Sequence, residues 1–260
     1  MSCCPATALP ELKGDGGALG YLKKFNKTTL YIAGPQSGTH TVTSKVGVIG
    51  MPNVFGLDSG RTKSDADNLA KRGYAVILVD VTHGEYLPPG DLSRFQEWLE
   101  ENTFESVLGA AVQDSIAFLQ SEFHVESIVS YGYCFGGWIG ARQSTLLDPV
   151  IKGNISFHPS WVIENMLHGD SAVEKLAERI TVPQLLLAAG DDPAFVRENG
   201  SVIKILLDKA ETSKHSNAID FPDVNHGWVN RGDLEKPEVK AAVAKAWHAA
   251  VKFIQTVAPQ

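Results

Sequence analysis

Three residue types that can share one reaction fall in order along this chain. Cys134 sits in Gly-Tyr-Cys-Phe-Gly, an aspartate pair in Ala-Ala-Gly-Asp191-Asp192-Pro, and His226 in Asn-His-Gly. A cysteine attacks carbonyl carbon as its thiolate, so it needs a base nearby, and the base needs an orienting group. An imidazole held by a carboxylate meets both needs. The chemistry in question is acyl transfer through a covalent thioester. The intervals, 58 residues (192 − 134) and 34 residues (226 − 192), put the three groups on separate elements that only a fold can bring together.

The flanking sequence shows how that could happen. Cys134 follows the strand-like run 126–132 and precedes the helix-like run 136–147. A strand-to-helix turn of this kind leaves room only for small residues two before and two after the nucleophile, here Gly132 and Gly136. It also sets the Phe135 amide at a helix N-terminus, where it can donate to an oxyanion. Asp191 and Asp192 follow the apolar run 184–190, and His226 follows the β-rich run 216–221. Either aspartate could orient the imidazole on spacing alone. The order nucleophile, acid, histidine is that of α/β-hydrolases.

Eight histidines compete for the role of base. His226 is preferred for its late-loop position after a strand. His40, His124, His168, His215 and His248 lie in helix-like, strand-preceding or surface segments. His83 and His158 each follow a strand-like run, so they either line the pocket or are ordinary loop histidines.

Strand-like runs at 46–51, 75–81, 126–132, 150–157, 184–190 and 216–221 alternate with helix-like runs at 65–73, 104–123, 136–147, 195–210 and 237–257. Such alternation predicts an α/β fold, a mostly parallel sheet with helices on both faces. A hairpin is expected around Gly34–Gly38. Residues 1–18 read as a flexible tail and 19–260 as one domain. The chain has 260 residues, 43% of them hydrophobic, enough for one sizeable core.

The net charge of −7 and the lack of a basic patch argue against nucleic acid. No apolar run reaches the roughly 18–20 residues that span a bilayer. The start of the chain has neither the basic region nor the apolar stretch of a secretory signal. Three cysteines do not make a disulfide framework, so a reducing, cytoplasmic setting is expected. Cys3 and Cys4 are expected to be exposed tail thiols with no zinc-type spacing.

Several segments together resemble the dienelactone hydrolases (carboxymethylenebutenolidases). They are GMPNVFGLDSGRTKSDADNLAKRGYAVILVDVTHGE, GYCFGG, AAGDDPAF and NHGWVNRGD, and the likeness covers roughly residues 20–258. The resemblance implies an α/β-hydrolase fold and a Cys134, Asp192, His226 triad. It implies an oxyanion hole from the amides of Phe135 and Val54, and Arg231 as the binder of a substrate carboxylate, which a guanidinium grips through two bonds. No metal or organic cofactor is expected. One position departs from the family. Bacterial members carry a glutamate just before the residue that corresponds to Val54, where it helps switch the cysteine to thiolate; here Asn53 stands, and an amide cannot take up a proton at neutral pH. The expected substrate is a small ester or lactone, and the protein a monomer or homodimer. The rivals are a thioesterase or carboxylesterase on the same scaffold, and a non-catalytic binding protein that keeps the triad.

Overall fold

The computed structural model describes residues 3–34, 42–88, 91–146 and 150–259. Its frame is an eight-stranded sheet in the order β1-β2-β4-β3-β5-β6-β7-β8. β3 (Val46–Met51), β4 (Ala75–Val79), β5 (Ser127–Tyr133), β6 (Ile151–Phe157), β7 (Gln184–Ala189) and β8 (Asn217–Phe221) all run parallel. Every residue of β3, β4 and β7 is buried, as unbroken apolar runs must be when helices cover both faces.

Alternate residues of each strand serve opposite faces. Ile49, Met51, Ile77 and Val79 pack with α3 (Gly109–Phe123), α4 (Phe135–Gln143), α6 (Ala172–Arg179) and α7 (Ser201–Leu207). Val46, Val48, Val76 and Leu78 pack with α1 (Thr62–Ala70) and the long α9 (Pro237–Val257), which opens on its proline. The expected α/β architecture is therefore present, with a distinct core on each side of the sheet.

The antiparallel edge is where the structure departs from expectation. β1 (Tyr21–Phe25) and β2 (Thr28–Ile32) form a hairpin, and β2 docks antiparallel on β4. The turn between them uses Asn26 at φ 52°, a left-handed conformation that asparagine tolerates better than most residues. The hairpin expected around Gly34–Gly38 falls largely on residues 35–41, outside the described residues; residues 42–45 form no strand. Three further helices are short: α2 (Phe95–Glu101), α5 (Val162–His168) and α8 (Trp228–Arg231). α5 and α6 fill a stretch in which no helix is expected from the sequence. Both are short; α6 buries Val173, Leu176 and Ala177 on one face, and α5 is fixed by its buried Glu164, which accepts from Trp138 Nε1 at 2.8 Å and from Arg142 at 2.9 Å.

Candidate active site

Cys134 stands between β5 and α4 at φ 56°, ψ −113°, a strained conformation for a residue with a Cβ. What enforces it is close packing on both sides. A Cβ on Gly132 would lie 2.1 Å from the Gly136 carbonyl carbon, and one on Gly136 would lie 2.2 Å from the Met51 oxygen. Only glycine fits at either position, so the turn can be this tight. Phe135 opens α4, and its amide is one of the first-turn donors that a helix leaves without an internal acceptor. The strain is held from outside: Cys134 donates its N–H to Phe157 O, and its carbonyl accepts from Gly137 and Ser160.

The imidazole and its carboxylate come from the ends of the next strands. His226 Nδ1 is 2.6 Å from Asp192 Oδ1, and Asp192 Oδ2 accepts the Ala189 amide at 2.6 Å. Asp191 acts on the backbone instead. Its carboxylate accepts the N–H of His226 at 2.6 Å and the Thr7 hydroxyl at 2.6 Å. Asp192 thus faces the ring, and Asp191 holds the loop that carries it. His226 Nε2 is buried without a hydrogen-bond partner, and the ring acts on Cys134 through charge and a side-chain contact.

Cys134 is 1% exposed, and burial by itself pushes its thiol up. Thiol donors from Cys3 and Cys4 and the His226 charge outweigh that effect and hold the group well below the ordinary thiol range. For His226 burial alone pushes down, while the Cys134 and Asp192 charges raise it well above its usual value. The pair is therefore favoured as thiolate and imidazolium. Ser160 Oγ adds a polar contact to Cys134 Sγ at 3.0 Å.

The two cysteines expected to be exposed are not. Cys3 is 2% exposed and Cys4 half-buried. Cys4 Sγ lies 3.4 Å from Cys134 Sγ and 3.4 Å from Cys3 Sγ. Bonds far along the chain hold the segment that carries them: Leu9 N–H donates to His226 O at 2.8 Å, and Asn225 donates to Thr7 O at 3.0 Å. The three sulfurs lie within 4.8 Å of one another, so the fold creates a ligand set suited to a soft metal that local spacing does not reveal. Ser160, Cys3 and Cys4 are absent from the residues expected at the site. Ser160 follows β6 and obeys the strand-end rule; nothing local to Cys3 or Cys4 points to Cys134.

The remaining candidates divide. Arg231 is 6% exposed, and its Nε and Nη2 have no hydrogen-bond partner. Its guanidinium lies over the Phe55 ring at 5.3 Å. Among the described residues it forms no ion pair with Asp233. It borders a cavity of about 360 Å³ shared with Cys4, Leu9, Pro10, Phe55 and Leu92. Gly227, at φ 94°, lets the guanidinium pass, because a Cβ there would lie 2.2 Å from Nη2. Asn53 is buried, but both ends of its amide are engaged in its own loop: Oδ1 accepts from Phe55 N and Nδ2 donates to Ser59 Oγ. Val54 is buried beside it. His158 is fully buried, with both ring nitrogens unpartnered. It stacks on Tyr133 at 5.9 Å and meets the His226 ring edge-on at 4.7 Å. Burial, followed by the His226 charge, keeps it well below its usual range, hence neutral. His83 is exposed in the turn after β4 and takes no part in this cluster.

A sheet of this order, with a residue at positive φ on a tight strand-to-helix turn and a carboxylate–imidazole pair at neighbouring strand ends, is the α/β-hydrolase fold. The model of the dienelactone hydrolase family matches residues 30–258, and the chain belongs to that family. It is 24% identical over 263 residues to the hydrolase tropI of Talaromyces stipitatus, covering 97% of this chain and 94% of that one. It is 25% identical over 248 residues to a carboxymethylenebutenolidase homolog of Xenopus tropicalis, covering 94% and 93%. Among solved structures it resembles a putative dienelactone hydrolase from Klebsiella pneumoniae, with a TM-score of 0.62, 18% identity and coverage of 88% and 93%. The Est2 esterase of Thermogutta terrifontis shares the fold with a TM-score of 0.61 at 17% identity, covering 94% and 95%. Family membership supports a hydrolase of ester or lactone bonds that acts on a small molecule. Among the described residues no helix is long and apolar enough to cross a membrane.

Proposed function

We propose that the protein is a cysteine-dependent hydrolase that cleaves a small carboxylate-bearing ester or lactone through a thioester on Cys134. The Cys134 thiolate attacks the carbonyl carbon, and the carbonyl π electrons move to oxygen. The amides of Phe135 and Val54 receive that oxyanion. As the tetrahedral species collapses, the C–O bond breaks and the His226 imidazolium protonates the leaving alkoxide. Neutral His226 then removes a proton from water, the hydroxide attacks the thioester, and Cys134 departs as thiolate. Asp192 keeps the ring in the needed tautomer throughout. Arg231, with unpartnered N–H groups beside the cavity, takes the substrate carboxylate. Since Cys4 borders that cavity and Cys134 lies behind it, the segment bearing Cys4 shifts when substrate reaches the sulfur.

The observation that carries this reading is Cys134 on its strained turn beside the charge of His226, whose Nδ1 lies 2.6 Å from Asp192. The test is turnover of p-nitrophenyl acetate with acyl trapping on the protein. The parent chain is expected to acquire one acetyl group on Cys134 and to release it. Cys134→Ala is expected to lose at least about a thousandfold in kcat/KM, the scale seen when a triad nucleophile is removed. Equal rates for parent and variant would remove Cys134 from the mechanism.

A further inference from the structure

Two thiols 130 residues apart in sequence meet at the site, and only Cys134 makes and breaks bonds in the proposed hydrolysis. Cys4 Sγ is 3.4 Å from Cys134 Sγ, across 130 residues of chain. We propose that Cys134 and Cys4 form a thiol-modification site at which a hydroperoxide converts them to an intramolecular disulfide, switching the hydrolase off reversibly. The proposal rests on Cys134 being the nucleophile.

The 3.4 Å separation brings the two sulfurs within reach of a bond, and the chemistry of the site makes that bond the proposed outcome. A disulfide needs the atoms at about 2.0 Å, so they must close by roughly 1.4 Å, within the reach of side-chain rotation and a small shift of the leading segment. A tetrahedral zinc with Zn–S near 2.3 Å would hold its sulfurs about 3.8 Å apart, a change of only about 0.4 Å, so metal binding is the rival that the test must separate from the bond. The environment also suits the chemistry. The reactive thiol must be present as thiolate, and Cys134 is so poised beside His226. The resolving thiol must wait as a thiol nearby, and Cys4 is held above its ordinary range, chiefly by its hydrogen bond to Cys134. Cys4 also borders the cavity, through which a molecule little larger than water can approach.

The steps balance. The Cys134 thiolate attacks one peroxide oxygen and the O–O bond breaks. The leaving hydroxide takes a proton from the His226 imidazolium, so Cys134 becomes a sulfenic acid and one water leaves. The Cys4 sulfur then attacks Cys134 Sγ, the S–O bond breaks, and hydroxide departs with the Cys4 proton as a second water. Two electrons pass from the two sulfurs to the peroxide. The product has no nucleophile, and the segment that lies over the site is now tethered to it. A dithiol reductant reverses the bond by exchange.

The test treats the full chain, in a metal chelator, with hydrogen peroxide, and compares it with Cys4→Ser and Cys3→Ser. Peptide mapping under non-reducing conditions reads the product directly, without reference to turnover. The parent and Cys3→Ser are expected to yield a Cys4–Cys134 linked peptide, with a loss of two hydrogens. Their p-nitrophenyl acetate turnover should fall at least tenfold from each protein's own untreated rate, and dithiothreitol should restore it. Cys4→Ser should stop at sulfinic or sulfonic Cys134, beyond rescue by dithiothreitol. A Cys3–Cys4 link, a link between two chains, or equal reversibility in parent and Cys4→Ser would overturn the proposal. So would full protection of the thiols by added zinc at one equivalent without chelator, which would mark the sulfurs as a metal site. If reduced protein shows no turnover yet the linked peptide forms, the hydrolase reading fails and the modification site stands.

Discussion

On the proposed reading, Cys134 takes its reactivity from its surroundings rather than from its own chemistry. A free thiol near pKa 8.5 loses about tenfold in thiolate for each pH unit below that value. The Cys134 thiol is held well below the ordinary range by its thiol donors and by the His226 charge, against the upward push of burial. Lowering pH from 8 to 6 should therefore leave Cys134 as thiolate while a model thiol loses roughly a hundredfold. Iodoacetamide alkylation, followed by the mass of the Cys134 peptide, is expected to change less than about threefold over this range. A tenfold fall per pH unit would show an ordinary thiol. Asn53 is consistent with a standing pair. Its amide is engaged within its own loop, so the thiol is lowered by Cys3 and Cys4, which the family resemblance does not supply, together with the His226 charge.

At the scale of elements, the turn bearing Cys134 is buttressed by a helix distant in sequence. Trp98, on α2, has its ring centroid 5.0 Å from that of Phe135 and donates its indole N–H to the Glu85 carbonyl. Phe135 in turn packs on Trp138 at 5.6 Å. Trp98→Ala removes a buried indole from that stack, at a cost of about 3 kcal/mol or more in urea denaturation. With Phe135 no longer pinned, kcat should fall together with stability. A loss below about 1 kcal/mol with kcat unchanged would show that α2 does not support the turn. The elbow itself was legible in the sequence, because two glycines flanking Cys134 have one physical reason to be there, the backbone that crowds each of them. The parallel strands were legible from their continuous apolar runs. α5 and α6 were not, since they are short and α5 depends on a buried ionic contact between Glu164 and Arg142 instead of a period. Neither was the place of Cys3 and Cys4. The contact of Cys4 with Cys134 joins irregular chain to a turn 130 residues away, and no local pattern encodes that. The adjacent aspartates lay between these cases. Spacing allowed either, the family resemblance favoured Asp192, and bond direction separates their roles.

The whole molecule has a second buried polar centre on the opposite face of the sheet. Asp65, on α1, accepts from the hydroxyl of Tyr133, one residue before Cys134, at 2.8 Å. Burial pushes its carboxyl up to about 7, against the opposing effects of Tyr133 and Arg61. A folded value above the unfolded one favours the protonated form in the native state. The stabilisation is therefore complete below about pH 4 and is lost as pH rises through about 7. Thermal or urea unfolding of the parent at pH 5 and pH 8 should include a fall of a few kcal/mol from this group. Asp65→Asn keeps an acceptor for Tyr133 and should remove that part of the slope. The same pH slope in both proteins would show that Asp65 is ionised in the fold throughout.

The segment bearing Cys4 closes the longest hydrogen-bonded circuit among the described residues, since Asn225 and Thr7 bond across 218 residues. During synthesis Cys4 and Cys134 leave the ribosome before their neighbours on the His226 loop. Loop-closure entropy and topology both make such a contact a late event. Cys134 therefore waits at least the 92 residues (226 − 134) to His226 with no imidazole beside it. Without the His226 charge the thiol lacks one of the influences that lower it in the fold, and docking of the His226 loop completes the set.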